Sequence, residues 1–366
     1  MRVKQLGYSN LNLSVIGIGA WAFGGSNWSF GWAGQEDLVS ISAIHHAIDL
    51  GINWVDTAAA YGYGHAEEVV GKALVGKRDQ LMVATKGGLK TAADGWNFEC
   101  VLKADSLRKE AEDSLRRLNV DVIDLYQIHK PFPDEDIEEA WGVVADLIKD
   151  GKVHYGGVSI FNVDQIKRCQ AIHPVAAYQP PYSMLVRGVE EELLSYCAVN
   201  NIGVITYSPM RSGLLTGKLT LERLKSMKKE DWRTHADPEF QGKRVEINLE
   251  LVEKLKPVAA RLDCSLSQLA IAWVLRRSEV TAAIVGARRG CLKRTRGDGL
   301  IAISSGRHMG RPLRVGANLC VCPLFRQPLK AAEVKLPPEV DVEIARYLAE
   351  RDVALTASGE PLSYPW

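Results

Sequence analysis

Asp56, Tyr61, Lys86 and His129 are an acid, a phenol, an amine and an imidazole, and each falls at or just past the C-terminal end of a predicted β-strand. The strings around them are NWVDTAAAYGYG, LMVATKGG and DLYQIHKP. Brought together, side chains of these types can deliver a proton to a carbonyl oxygen. A phenol alone is a weak acid, with an ordinary pKa of about 10. A neighbouring ammonium stabilises the phenolate and lowers that value, and Lys86 is the candidate cation. Asp56 is expected to pair with Lys86, keeping it charged and in place, while His129 hydrogen-bonds the carbonyl oxygen and orients it. Acid–base help of this kind typically contributes about 10²–10⁴-fold in rate.

These side chains can share a site only if the strands that carry them end on one rim. Strand candidates are residues 15–19, 53–56, 81–86, 123–129, 155–159, 176–179, 203–208 and 282–286, eight in all. Amphipathic stretches lie between them. Leu107, Ala111, Leu115 and Leu118 recur at helical spacing with charges opposite, and Ile137, Trp141, Val144, Leu147 and Ile148 repeat the pattern. Eight βα repeats predict a (β/α)8 TIM barrel, whose active sites lie at the C-terminal ends of the strands. The rival is a doubly wound sheet with its nucleotide site on the first βα turn. That turn reads GIGAWAFGG; Gly17 and Gly19 begin a GxGxxG pattern, but the third glycine is displaced to Gly24. These glycines are therefore read as making a tight turn.

Residues 3–16, VKQLGYSNLNLSVI, read as an N-terminal β-hairpin that closes the bottom of the barrel. Residues 221–262 form a long, charged connection after the seventh strand, the length of a lid or binding loop on the C-terminal face. Trp21, Trp28, Phe30, Trp32, Tyr63, Trp96 and Phe132 lie in or near the rim loops, where aromatic walls suit a modest apolar carbonyl compound. His45 and His46 fall within the first helix and are assigned no role.

The 366 residues are 46 % hydrophobic and 24 % charged, a soluble globular composition that allows one large barrel, residues 1–366, or two ordinary domains. Lys plus Arg number 45 and Asp plus Glu 44, a net charge of +1. That balance supports neither nucleic acid nor an anionic membrane as the main partner. No apolar run reaches the roughly 18 residues of a spanning helix. MRVKQLGYSN is not laid out as a signal peptide, so a cytoplasmic location is expected. The seven cysteines (100, 169, 197, 264, 291, 320 and 322) are scattered and form no disulfide framework and no paired CxxC metal site; the single CxC at Cys320 and Cys322 is alone a weak signal, and free thiols with no metal are expected.

Residues 290–330 break the pattern. They hold eight Lys or Arg and one acid, Asp298, and helical periodicity is lost where the eighth helix should begin. The segment reads as an insertion or as a locally shifted reading frame. It lacks the interleaved aromatics of a nucleic-acid patch.

DTAAAYGYGHAEEVVGKAL, VATKGG, DLYQIH and GVS together resemble the aldo-keto reductase superfamily. YQPPYSMLVRGVEEELLSYC, ITYSPMRSGLLTGKL and AIAWVLRRSEVTAAIVGARR resemble its bacterial branch, which also includes general stress and inositol-utilisation reductases. The resemblance covers residues 1–289. It implies a (β/α)8 barrel and an extended nicotinamide cofactor, usually NADP(H), with NAD(H) not excluded. It implies that Asp56, Tyr61, Lys86 and His129 are catalytic, Asp56 also belonging to the cofactor set. Ser159 and Gln179 match positions that hydrogen-bond the nicotinamide carboxamide, and Tyr207 matches the aromatic stacked on the ring. Ser208, Pro209, Met210, Arg211 and Ser212 match the loop around the pyrophosphate. Lys218 and Arg233 match cations near the phosphates. Gly286, Ala287 and Arg288 match the turn beside the adenosine phosphate, where a guanidinium suits a phosphomonoester. Ala20 and Trp21 match the first-strand turn near the ring. Ile160 stands where the family carries Asn, which implies weaker nicotinamide anchoring. The helix that usually follows Arg288-Arg289 is replaced by the anomalous segment, so NADP preference rests on Arg288.

The activity implied is reduction of aldehydes or ketones to alcohols, with hydride from the nicotinamide and the proton from Tyr61. Alternatives are a cofactor-binding, redox-sensing regulatory subunit and a reductase with weakened cofactor binding.

Overall fold

A computed structural model describes residues 1–32, 35–227, 231–286 and 329–362, together with the backbone of residues 292–294 and 300–302. Two short strands, β1 (Val3–Gln5) and β2 (Asn12–Ser14), pair antiparallel with Val3 opposite Ser14. Eight parallel strands follow, in the positions expected. They are β3 (Ile16–Gly19), β4 (Trp54–Asp56), β5 (Met82–Gly87), β8 (Ile123–Ile128), β9 (Val153–Ser159), β10 (Ala177–Gln179), β11 (Gly203–Thr206) and β12 (Val280–Gly286). They close in chain order into a barrel, with β12 pairing back onto β3. Between β5 and the next barrel strand lies an additional hairpin, β6 (Leu89–Thr91) and β7 (Phe98–Cys100).

Helices α1 (Asp37–Asp49), α2 (His65–Leu74), α3 (Ala104–Leu118), α4 (Ile137–Lys149), α5 (Val163–Gln170) and α6 (Leu193–Val199) alternate with the strands. The charged connection after β11 is largely helical, holding α7 (Leu221–Lys225) and α8 (Gly242–Arg261), and α9 (Leu266–Leu275) leads into β12. Past β12 come β13 (Leu292–Arg294) and β14 (Leu300–Ala302), which pair antiparallel, and a final helix α10 (Pro338–Ala357). The rest of the anomalous segment, up to residue 328, lies outside the described residues. No single helix among the described residues is long and apolar enough to cross a membrane; α8 and α9 pass such a test only as a pair bent by 86°.

The helices form where apolar residues recur every three or four positions. In α3, Leu107, Ala111 and Leu118 are buried, and in α4 the buried set is Ile137, Ala140, Trp141, Val143, Val144 and Leu147. Strand β8 is buried along its whole length, as a strand covered by helices outside and side chains inside must be. Its Asp124 is partnered, by the Val83 N–H at 2.7 Å and by Arg78 at 2.8 Å. That pair lines a cleft of about 540 Å³ at the N-terminal end of the barrel, remote from the strand ends that carry Asp56, Lys86 and His129.

The barrel interior is filled from below. Leu6, Leu11 and Leu13 of the hairpin pack with Trp54, Ala84, Leu125, Ala177, Ile205, Ala282 and Ile284 in one buried cluster. Gly17 accommodates this packing, since a Cβ there would lie 2.1 Å from the Trp54 ring. The glycine is thus required by the core and not by a nucleotide. Leu6 is wholly buried in the plug. Leu6→Ala is expected to lower unfolding free energy by about 2–5 kcal/mol, read by denaturant titration; an unchanged midpoint would show that the hairpin is not part of the cooperative core.

Candidate active site

The four residues singled out by their chemistry converge at one end of the barrel. Lys86, on β5, is 1 % exposed, and Asp56, at the end of β4, is 3 % exposed. The Lys86 ammonium donates to Asp56 Oδ2 at 2.6 Å, to the Thr57 carbonyl at 2.9 Å and to the Tyr61 hydroxyl oxygen at 3.3 Å. Asp56 Oδ1 accepts from the side-chain amides of Gln179 at 2.8 Å and Gln127 at 3.4 Å. The His129 ring lies 5.9 Å from the Tyr61 ring, inclined by 77°. Its backbone N–H donates to the Gly87 carbonyl at 2.9 Å, tying the end of β8 to the residue after Lys86.

Electrostatics separate the roles these groups can play. Burial works against charge on Lys86, but Asp56 and the Tyr61 oxygen outweigh it and hold the ammonium above the ordinary lysine pKa. For Tyr61 burial is the largest influence and raises the phenol; Lys86 pulls it down and Asp56 pushes it up again. The pull expected from Lys86 is present, yet the net pKa lies above the tyrosine value, because the phenolate would have to form out of water. Burial, then the Lys86 and Lys130 charges, hold His129 well below an imidazole's usual 6.5. The ring is neutral at pH 7 and keeps one N–H to donate. Its Nδ1 is buried and has no partner among the described residues.

Two glycines set the approach to Tyr61. A Cβ on Gly62, whose φ is +60°, would lie 2.3 Å from the Gly24 carbonyl oxygen, and one on Gly24 would lie 2.7 Å from the Gly62 nitrogen. This contact presses the turn after β3 onto the turn after β4. Trp21 consequently stacks at 6.4 Å on Tyr61, and Trp28 lies at 6.0 Å. The wall continues through Phe98 of β7, 6.0 Å from Trp28 and 5.5 Å from Tyr63. Trp96 and Phe132, expected among the wall residues, are 50 % and 52 % exposed.

The described residues expected around a cofactor lie at or near the C-terminal ends of barrel strands or in the connection after β11. Ser159 and Gln179 are opposite each other on β9 and β10, and the Ser159 hydroxyl donates to the Gln179 carbonyl at 2.9 Å. The Gln179 amide N–H groups are committed to Asp56 and Gln127, and no described residue donates to Gln179 Oε1. Ala20 donates its N–H to the Asp56 carbonyl at 2.8 Å. Tyr207 follows β11, hydrogen-bonded through its backbone to Pro180 and Tyr182. After it, Ser208, Arg211 and Ser212 all adopt positive φ (56°, 45° and 52°), as does Gly213 at 95°; Pro209 and Met210 lie between. The Arg211 guanidinium makes a buried two-pronged pair with Asp237 at 2.8 and 2.7 Å. Arg233 is likewise paired, with Asp231 at 2.8 and 2.6 Å, and it stacks 4.4 Å from the Trp32 ring. The Lys218 side chain has no partner among the described residues. Gly286 ends β12 beside Gly19; Ala287 and Arg288 lie outside the described residues.

A family model described as the aldo/keto reductase family matches residues 15–290. The chain belongs to this family. The aldo-keto reductase YhdN of Bacillus subtilis (strain 168) is 40 % identical over 294 residues, 79 % of this chain and 86 % of that one. The NADH-specific methylglyoxal reductase of Escherichia coli (strain K12) is 33 % identical over 303 residues, 78 % of this chain and 90 % of its own length. Among solved structures, the glycerol dehydrogenase AKR11B4 from Gluconobacter oxydans superposes with a TM-score of 0.77 at 31 % identity, covering 95 % of each chain. This aldo-keto reductase is thus an NAD(P)H-dependent oxidoreductase built on a (β/α)8 barrel.

Against the family pattern, Ile160 is the residue most at odds with its surroundings. Its φ is +66°, a region where β-branched residues are outliers and asparagine is tolerated. Asn162 does not substitute for the missing amide. Its side chain caps α5, accepting from the Gln165 N–H at 2.9 Å.

Sequence reasoning missed Gln127, Trp232 and Asp237. Gln127 had a signal, an amide two residues before His129 and therefore on the same face of β8. Trp232 packs 5.0 Å from Trp21 and 6.4 Å from Trp32. Nothing in the charged connection distinguished it from a packing tryptophan.

Two outcomes follow from the strain at Ile160 and the buried imidazole. Ile160→Asn should raise stability by about 1 kcal/mol and tighten nucleotide binding; a lower melting temperature would refute the strain argument. Because the folded state holds His129 below 6.5, the unfolded chain binds more protons there, and stability falls as pH drops through and below that value. His129→Asn should flatten this acid-side loss in melts recorded across pH 5–7, and an identical slope in both proteins would count against it.

Proposed function

We propose that this oxidoreductase reduces aldehyde or ketone groups of small carbonyl compounds, with NADP(H) as the preferred cofactor, NAD(H) being also admitted, and with Tyr61 as proton donor. The observation that carries the reading is the Lys86 ammonium, bonded at once to Asp56 at 2.6 Å and to the Tyr61 hydroxyl at 3.3 Å. The donor set suits a nicotinamide dinucleotide. Gln179 Oε1 is available to a carboxamide N–H, the Lys218 ammonium to a phosphate, and the left-handed loop after β11 turns its backbone as a phosphate cradle does. When bound, the nicotinamide supplies or accepts the hydride.

The chain's own residues handle the proton. Tyr61 stays protonated at neutral pH and donates to the oxygen as negative charge develops on it. Lys86 stabilises the resulting phenolate, and Asp56 keeps Lys86 charged and in place. Neutral His129 donates a hydrogen bond to the carbonyl oxygen. Trp21, Trp28 and Phe98 exclude water and favour an apolar group next to the carbonyl.

The reading is tested by following NADPH and NADH oxidation with a reactive aldehyde. Tyr61→Phe should cost about 10²-fold or more in kcat while nucleotide binding persists. Turnover equal to the wild type would remove Tyr61 as proton donor. A wild type that binds nucleotide but turns over no carbonyl would favour the redox-sensing subunit. Since the raised Tyr61 pKa keeps the donor form into alkaline pH, reduction should hold there while alcohol oxidation, which needs the phenolate, rises with pH.

A further inference from the structure

The left-handed run Ser208, Arg211, Ser212 and Gly213 is a costly backbone conformation for its non-glycine members, and such conformations persist only where the surroundings over-determine them. The surroundings here form a chain of buried charges. Arg211 grips Asp237 through both guanidinium nitrogens. Asp237 Oδ1 accepts the Glu239 N–H at 3.1 Å, making the two acids one rigid turn. Glu239 is 2 % exposed and is held from two helices. From α8, Arg244 donates to its Oε1 at 2.9 Å and Asn248 to its Oε2 at 2.7 Å. From α10, Arg351 donates to Oε2 at 3.0 Å and also to Asn248 Oδ1 at 2.7 Å. Arg244 and Arg351 are 1 % and 4 % exposed.

We infer that Arg351, 112 residues beyond Glu239 in the sequence, is a positioning residue for the loop 208–213, acting through Glu239, Asp237 and Arg211. The inference rests on the reading of that loop as the dinucleotide cradle. Without Arg351, Glu239 keeps Arg244 and Asn248 but loses its only tie to the last helix among the described residues. The Asp237–Glu239 turn can then shift, and Arg211 no longer pins the left-handed backbone. None of this touches Tyr61, Lys86, Asp56 or His129, so the expected defect is in nucleotide affinity and not in the proton step.

The test is NADPH titration, and NADH in parallel, by fluorescence on the full chain, with steady-state kinetics. Arg351→Met should raise the nucleotide Kd and KM about tenfold or more while kcat at saturating nucleotide stays within about threefold. Glu350→Ala, one residue away on α10, removes exposed pairs with Lys254 of α8 and with Arg346 and should leave both unchanged. Arg351→Lys keeps the charge but not the simultaneous contacts to Glu239 and Asn248, and it decides the matter should Arg351→Met not fold; about a threefold weaker Kd supports the inference. A folded Arg351 variant with wild-type Kd, or one losing kcat and Kd together with no split, overturns it. A wild type that binds neither nucleotide overturns instead the reading of the loop on which it rests.

Discussion

An ammonium withdrawn from water costs several kcal/mol even after the surroundings relax. Lys86 is such a group, and its three N–H bonds each find an oxygen, on Asp56, Thr57 and Tyr61. Those oxygens belong to the end of β4 and the turn that follows it. The second oxygen of Asp56 is occupied in turn by amides from β8 and β10. Strands up to four apart around the barrel are therefore tied to one buried charge pair. The pairing is unfavourable to break from either side, because the partner left behind would be an uncompensated buried ion, a loss of about 3–5 kcal/mol. The geometry of the candidate site thus follows from electrostatic necessity once the barrel closes.

The rest of the rim is arranged around this centre by contact and by strain. The Gly24–Gly62 approach leaves no room for a side chain, and that is what seats Trp21 against Tyr61. Trp232, from the connection after β11, then extends the aromatic layer on its far side. The same connection supplies Asp231 and Asp237, which neutralise Arg233 and Arg211. Through these pairs Arg211 and Arg233 tie the loop 208–213 and the Trp32 ring to that connection. Ile160 illustrates the reverse, a left-handed position kept without the asparagine that suits it.

Much of this was legible in the residues. The eight strands fall where β-branched runs predict them, and the helices where apolar residues recur. The hairpin at the start carries leucines that had to be buried, and the barrel bottom is where they are. Less legible was the balance at Tyr61. A lysine nearby predicts a lowered phenol pKa, but burial, which depends on how neighbouring loops pack, outweighs it. Gln127 was readable in principle from its place on the His129 face, whereas Asp237 looked like one more acid in a charged connection.

By itself, the order of residues determined the fold class, the strand ends and the chemical types of the four groups that meet at the candidate site. These depend on local periodicity and on chemical type, both written along the chain. Only the tertiary structure decided which charges are free and which are spent. Arg211 meets Asp237 across 26 residues and Arg351 meets Glu239 across 112, and no local pattern encodes those distances. Such pairs form because closing the barrel buries the groups together, and a buried charge must find its counter-charge wherever the chain brings one.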